Sequence, residues 1–282
     1  FKLVTGVSTG GLIAPFAFLG EDYDATLKHS YVDTEPHDIL KPRWLLTALL
    51  SDALADNTPL WRKVRKEVTR EMLDRIAAEY TKGRLLFIAT TDLDDRTAVI
   101  WNMTRIASSR HPKALELFHS VMIASAAVPG AFPPVMIDVE VDGVKYQEMH
   151  VDGGTTSQVF VYPTTLRVSD IAKQYHVKRE RNLYVIRNDR LDPNWSETER
   201  SIVTIAGKSI QSLIHSQGIG DLFRIYLVSE RDGVNFHLAF IPPEFNAPHM
   251  EEFDQEYMRA LYKTGYDDAV NGFNWHKQVP AF

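Results

Sequence analysis

The sequence contains no cysteine in 282 residues, which excludes disulfide bridges, thiolate metal sites and a cysteine nucleophile. It also contains no apolar run that approaches the roughly 20 residues needed for a membrane-spanning helix. Basic residues are fewer than acidic ones, because the sequence has 31 Lys and Arg residues and 37 Asp and Glu residues. The formal net charge is −6. This balance argues against a nucleic acid or an anionic membrane surface as a partner held by bulk charge.

What is present describes a folded α/β protein, since 44% of the residues are hydrophobic and 24% are charged. Short apolar runs predict strands over 1–5, 84–90, 98–102, 135–141, 183–187 and 235–241. Apolar residues recurring every three or four positions predict helices over 44–50, 58–80, 112–124, 201–214 and 254–264. Asp142-Gly143 predicts a hairpin turn, and Gly218-Ile219-Gly220 is interpreted as a turn.

A serine framed by glycines follows the first run, in Gly6-Val7-Ser8-Thr9-Gly10. A nucleophile on a sharp strand-to-helix turn needs small residues two positions before and after it, because the backbone there leaves no room for Cβ atoms. Gly6 and Gly10 fill these places. The turn would lift the Ser8 hydroxyl clear of the sheet, and the Thr9 N–H would point at an oxyanion on the substrate. The competing interpretation is a glycine turn in which Ser8 only caps a helix.

A serine nucleophile needs a base, and histidine is the first candidate. The usual hydrolase order of Ser, acid and His could be completed by His215, His237 or His249, none of which has a distinctive neighbourhood. His111 and His119 are eight residues apart and could share a helix face. No third ligand is spaced beside them, so we do not expect a zinc site.

The second candidate base is Asp152, in Asp152-Gly153-Gly154. Two glycines after an aspartate let the backbone turn tightly and bring the carboxylate close to another chain segment. Direct contact with a serine hydroxyl requires such an approach. Alone, the pattern is only that of an Asx-type turn.

Together, these motifs resemble the patatin-like phospholipase family, which pairs a G-x-S-x-G serine with an aspartate in D-G-G or D-G-A and uses no histidine. Ser8 and Asp152 match these positions in that order. Residues 124–134 resemble the family's small-residue, proline-rich segment upstream of the aspartate, and 90–93 resemble its strand-end motif before a hairpin. The matches cover about 1–168.

The resemblance implies a three-layer α/β/α fold with a central, mostly parallel sheet, as one domain over 1–282. Residues 1–168 would carry the catalytic core and 169–282 would complete the fold. It implies a serine acyl hydrolase that cleaves ester bonds of phospholipids or other lipids through Ser8 and Asp152, without metal or cofactor. A lipid- or partner-binding module with a vestigial dyad and a conventional Ser–His–Asp hydrolase remain alternatives.

The resemblance also implies a glycine-rich oxyanion loop before the elbow. Since the sequence opens at Phe1, inside a predicted strand, we expect a further N-terminal segment that carries this loop. Bacterial members of the family are often exported or envelope-associated, which the resemblance extends to this chain. Candidates for an acyl-chain pocket, with core packing as the alternative, are Phe132, Val135, Met136, Phe160 and Tyr162.

Overall fold

The structure is a computed structural model that describes residues 1–42, 52–192, 195, 197–249 and 253–280. These residues form two compact units, 1–158 with 253–258 and 159–249 with 259–280. The single domain expected over 1–282 stays a prediction. The helix predicted over 44–50 lies outside the described residues.

The first unit alternates strands and helices. Its strands are β1 (Leu3–Val7), β2 (Lys41–Pro42), β3 (Ala55–Asp56), β4 (Leu85–Asp92), β5 (Thr97–Asn102), β6 (Val135–Val141) and β7 (Val144–Asp152). Its helices are α1 (Thr9–Leu19), α2 (Asp24–Val32), α3 (Pro36–Ile39), α4 (Thr58–Glu67), α5 (Arg70–Thr81), α6 (Met103–Ser108) and α7 (Ala114–Ser125), with 3₁₀ turns at Glu21–Tyr23 and Gly153–Thr155. This alternation confirms the predicted α/β class.

The remaining elements are α8 (Val168–Gln174), β8 (Asn182–Arg187), α9 (Ile202–Asp232), β9 (Asn235–Phe240) and α10 (Gln255–Val270). Strands β8 and β9 pair in parallel. Buried apolar side chains of these two strands and of α9 form the core of the second unit, among them Val185, Leu222, Phe236 and Leu238.

Strand β4 organises the main sheet of the first unit. Along one side it pairs with β1 and then with β7, with Val7 opposite Ala89 and Asp152 opposite Thr90. Along the other side it pairs with β5. Because β1 is parallel and β7 antiparallel to β4, the carboxyl ends of β1 and β7 meet at adjacent positions of β4.

The sheet is mixed, which corrects the expectation of a mostly parallel one. Only the β1–β4 pair of this sheet is parallel in the described part of the chain, and the β4–β5, β4–β7 and β6–β7 pairs are antiparallel. Short connections explain two of these antiparallel pairs, β4–β5 and β6–β7, since a hairpin can only join antiparallel neighbours. The tightest connection is the predicted turn at Asp142-Gly143, where both residues have positive φ, 52° and 79°.

Three helix predictions were wrong in extent, and one of these is the helix predicted over 254–264, which runs on to Val270 as α10. The helix predicted over 58–80 is broken after Glu67, because Val68 is extended and the Thr69 side chain caps α5 by accepting from the Met72 N–H. Helix α9 runs on to Asp232, through the residues interpreted as a turn around Gly218.

Gly218 has a packing role inside α9. A Cβ at this position would overlap the guanidinium group of Arg187, which lies against the helix. The glycine therefore leaves room for the Arg187 guanidinium beside α9, and the helix tolerates its lower intrinsic propensity.

The core of the first unit joins the sheet to α1, α5 and α7. Fully buried members include Phe18, Leu73, Ile76, Leu86, Ile88 and Phe118. Across the described ranges, no helix is both long and apolar enough to cross a bilayer.

Candidate active site

Ser8 is the single residue between the end of β1 and the start of α1, and its backbone conformation is strained. Its φ is 57° and its ψ is −130°, a region that residues with a Cβ rarely adopt. The N–H of Gly11 donates to the Ser8 carbonyl at 2.8 Å, which tightens the first turn of α1. The N–H groups of Thr9 and Gly10 come before this bond, at the positions of a helix that have no intrahelical acceptor, and they point out of the helix start.

The glycines around Ser8 are needed at positions that differ partly from those predicted. A Cβ at Gly6 would overlap the carbonyl oxygen of Gly10, so the requirement before the serine is steric, as expected. A Cβ at Gly10 would meet nothing within 4 Å, which corrects the prediction that its size matters. The tight position is Gly11, where a Cβ would lie 2.7 Å from the Ser125 Oγ.

Asp152 ends β7 and begins the 3₁₀ turn that follows. Gly153 lets this strand end approach the rest of the sheet, because a Cβ there would lie 2.5 Å from the Ala89 oxygen. The N–H of Gly154 donates to Asp152 Oδ1 at 2.6 Å. This bond holds one carboxylate oxygen and leaves the other, Oδ2, to face β1.

The structure brings Ser8 and Asp152 together. The Ser8 hydroxyl donates to Asp152 Oδ2 at 2.6 Å, although the two residues are 144 positions apart. Asp152 is only 4% exposed. Burial raises the pKa of its carboxyl group from 3.8 to about 6, against the lowering effect of the bonds from Ser8 and Gly154. At neutral pH the group is therefore ionised and more basic than an ordinary carboxylate.

The three histidines considered as bases lie in the second unit. His215 Nδ1 is 3.6 Å from Asp189 Oδ2. His237 Nδ1 is 3.0 Å from the Asn235 carbonyl oxygen, and since that oxygen only accepts, the histidine donates. His249 is exposed. The conventional Ser–His–Asp alternative gains no support from these positions.

A histidine that sequence reasoning passed over lies on β7, two residues before Asp152. His150 is fully buried, with Nδ1 3.0 Å from Thr90 Oγ1 and Nε2 3.2 Å from Glu148 Oε2. The Thr90 hydroxyl also accepts from Trp101 Nε1 at 2.8 Å. Both ring nitrogens are thus engaged, which makes His150 a packing residue beneath the strand end.

Three of the remaining candidates, His119, Val135 and Tyr162, have structural roles. His119 is buried and donates Nε2–H to the Val68 carbonyl at 2.7 Å, and burial lowers its pKa. Of the residues considered for an acyl-chain pocket, Val135 belongs to the core, whereas Met136 is 45% exposed on the other face of β6. The Tyr162 hydroxyl donates to Asp232 at 2.9 Å.

Sequence reasoning also passed over the residues that hold the two motifs in place. The Ser125 hydroxyl accepts from the Ser8 N–H at 3.1 Å and donates to the Ala89 carbonyl at 2.7 Å. The Ala127 carbonyl accepts from the Asp152 N–H at 2.9 Å. Both residues lie in the small-residue segment 124–134, whose composition was the one signal of their importance.

The helix-covered mixed sheet, with a serine at its sharp strand-to-helix turn, defines an α/β protein built like a serine hydrolase. The family model of the patatin-like phospholipases matches residues 1–164, more than half of the chain, and the protein belongs to this family. It therefore has the family's α/β/α fold and belongs among the lipid acyl hydrolases. A search of curated proteins gives no match.

Proposed function

We propose that the protein hydrolyses acyl ester bonds of phospholipids or other lipids, with Ser8 as nucleophile and Asp152 as its base. The observation that carries this proposal is the 2.6 Å hydrogen bond from the Ser8 hydroxyl to the buried Asp152 carboxylate. The family membership supports the lipid substrate, and the raised pKa of Asp152 supports its role as a base.

In the first half-reaction, the Ser8 Oγ attacks the acyl carbonyl carbon as its proton passes to Asp152 Oδ2. The negative charge on the tetrahedral oxygen is stabilised by the Thr9 N–H and the N-terminal end of α1. Collapse breaks the ester C–O bond, and the leaving alcohol takes the proton from Asp152. An acyl-serine remains.

In the second half-reaction, Asp152 accepts a proton from a water molecule as the water oxygen attacks the acyl-serine carbonyl. Collapse of this second tetrahedral intermediate breaks the bond to the Ser8 Oγ and releases the fatty acid. The proton held by Asp152 returns to the serine oxygen, which restores the starting state.

The test compares the wild type with Ser8→Ala and Asp152→Asn in the hydrolysis of a short-chain p-nitrophenyl ester and of phosphatidylcholine vesicles. Both variants should lose about 10³-fold or more in kcat/KM. Matched controls are Ser209→Ala and Asp74→Asn at exposed positions, which should retain the wild-type rate. Full activity of either dyad variant would refute the proposal.

Labelling separates an enzyme from a binding module that merely retains the fold. In a fluorophosphonate reaction the Ser8 Oγ would attack phosphorus, fluoride would leave, and the serine proton would pass to Asp152. We expect the added mass on the peptide that contains Ser8, and none in Ser8→Ala. An unlabelled wild-type Ser8 would favour the binding module.

Histidine substitution separates the two hydrolase mechanisms. His215→Ala, His237→Ala and His249→Ala should each keep activity within a few-fold of the wild type, since the proposed reaction uses no imidazole. A loss of about 10³-fold in one of them would favour the Ser–His–Asp mechanism.

A further inference from the structure

The Ser125 hydroxyl lies at the point where the hydrogen-bond ladder between β1 and β4 ends, next to the proposed nucleophile Ser8. Strand β1 pairs with β4 in parallel as far as Val7 and Ala89. The Leu85 N–H donates to the Lys2 carbonyl, and a parallel ladder repeats every two residues. The next bond in this series would run from the Ser8 N–H to the Ala89 carbonyl.

The Ser125 hydroxyl lies between these two groups. Its Oγ accepts from the Ser8 N–H at 3.1 Å and donates to the Ala89 oxygen at 2.7 Å, and the residue is fully buried. The hydroxyl therefore replaces one direct ladder bond by two bonds through a side chain. It holds the Ser8 backbone away from the line of β1, as the positive φ of 57° requires.

The same short segment also holds the second member of the proposed dyad. Two residues after Ser125, the Ala127 carbonyl accepts from the Asp152 N–H at 2.9 Å. The Ala89 carbonyl that Ser125 contacts also lies against Gly153. Residues 125–127 thus contact the backbone on both sides of the 2.6 Å bond between the Ser8 and Asp152 side chains.

We infer that Ser125 is a positioning residue: its hydroxyl fixes the Ser8 backbone so that the Ser8 Oγ faces Asp152 Oδ2. The inference rests on the proposed function, and Ser125 itself contacts no reacting atom. A consequence is that the Ser8 N–H is already bonded and is not an oxyanion donor, which leaves that role to Thr9 and the helix start.

The test is Ser125→Ala in the full chain, measured as kcat and KM across pH on a soluble p-nitrophenyl ester. We expect kcat to fall about 10- to 100-fold, with KM within about twofold, because the substrate site is intact and the nucleophile is misaligned. The matched control is Ser108→Ala, which removes a half-buried hydroxyl that donates to the Thr104 carbonyl at 2.7 Å. Its kcat should equal that of the wild type.

The pH profile distinguishes positioning from a general loss of stability. The bond from Ser8 lowers the pKa of Asp152, so a Ser8 side chain that points elsewhere should move the acidic limb of kcat/KM to higher pH. The limb should not move in Ser108→Ala. A Ser125→Ala enzyme with wild-type kcat and an unmoved limb overturns the inference.

Two further variants keep the result interpretable. If Ser125→Ala does not fold, Ser125→Cys carries the test, because its thiol has similar volume but donates and accepts weakly, and the same loss of kcat is expected. A Ser125→Cys enzyme with wild-type kcat then overturns the inference. Ser8→Ala in the same assay tests the proposed function separately, since an active Ser8→Ala removes the dyad mechanism whatever Ser125 does.

Discussion

Replacing Asp152 by asparagine should stabilise the folded chain at neutral pH while it removes the proposed base. The physical reason is the cost of keeping an ionised carboxylate buried, which an uncharged amide of nearly the same shape does not incur. The amide oxygen of Asp152→Asn can still accept from the Gly154 N–H. The local fold should therefore survive, and the charge is the main term removed.

The magnitude follows from the pKa of Asp152, which rises from 3.8 to about 6 on folding. Between these values the folded chain holds a proton that the unfolded chain has released, so the stability due to this group is complete below the lower value and is lost as pH rises through 6. The loss amounts to about 1 kcal/mol at pH 4.5 and about 3 kcal/mol at pH 8. The wild type should thus lose about 2 kcal/mol relative to Asp152→Asn over this range.

The assay is urea unfolding of both proteins at pH 4.5, 6 and 8, read as the difference in free energy of unfolding at each pH. Ionisable groups that titrate alike in both proteins contribute equally to the two free energies of unfolding, so their contributions cancel in the difference. The control is Asp74→Asn at an exposed position on α5, for which the difference should not depend on pH. A difference between wild type and Asp152→Asn that is constant, or that runs in the other direction, would refute the reasoning.

Two further predictions concern the same site. The kcat/KM of the wild type should rise tenfold per pH unit below about pH 6 and level off above it, because Asp152 must be ionised to accept a proton, and a flat profile on a p-nitrophenyl ester would contradict this. Gly6→Ala should cost several kcal/mol of stability through overlap with the Gly10 carbonyl, whereas Gly10→Ala should change it by about 1 kcal/mol or less. Equal urea midpoints for Gly6→Ala and Gly10→Ala would contradict this prediction, because they would show that the turn around Ser8 rearranges to accept a Cβ at Gly6.

The two ends of the proposed dyad were predictable because their signals are local. A serine between glycines after an apolar run, and an aspartate before two glycines, each require a backbone that few other residues allow. Family resemblance then paired Ser8 with Asp152. The structure places these two side chains in contact, and their catalytic role stays a proposal.

The contacts that support the pair were not predictable, because they join distant parts of the chain. Ser125 lies 117 residues from Ser8, and nothing in its own neighbourhood marks its hydroxyl as buried or bonded. The need for glycine at Gly11 has the same origin, since it is the Ser125 side chain that fills the space. Spacing near Ser8 pointed to Gly10 instead.

The wrong helix boundaries have an equally physical cause. Apolar periodicity reports which residues are buried, and Val68 is buried whether or not the backbone is helical there. The break is marked only by the capping residue Thr69, a weak signal inside a strong periodic pattern. Gly218 led to the opposite error, because the helix was predicted to end too early. In the sequence, a glycine that leaves room for the Arg187 side chain cannot be distinguished from one that ends a helix.

Strand β4 positions both members of the proposed dyad, because β1 and β7 both pair with it. Ala89 sets the position of β1 and the next residue, Thr90, sets that of β7, so the spacing between nucleophile and base is one residue step along a single strand. An inserted residue between them would separate the two chain ends by about 3.3 Å and turn one of them over. Strands β1 and β7, which are far apart in the chain, must both pair with β4 in the correct register before the proposed site can hydrolyse an ester. The rate of ester hydrolysis is therefore a sensitive measure of completed folding in this unit.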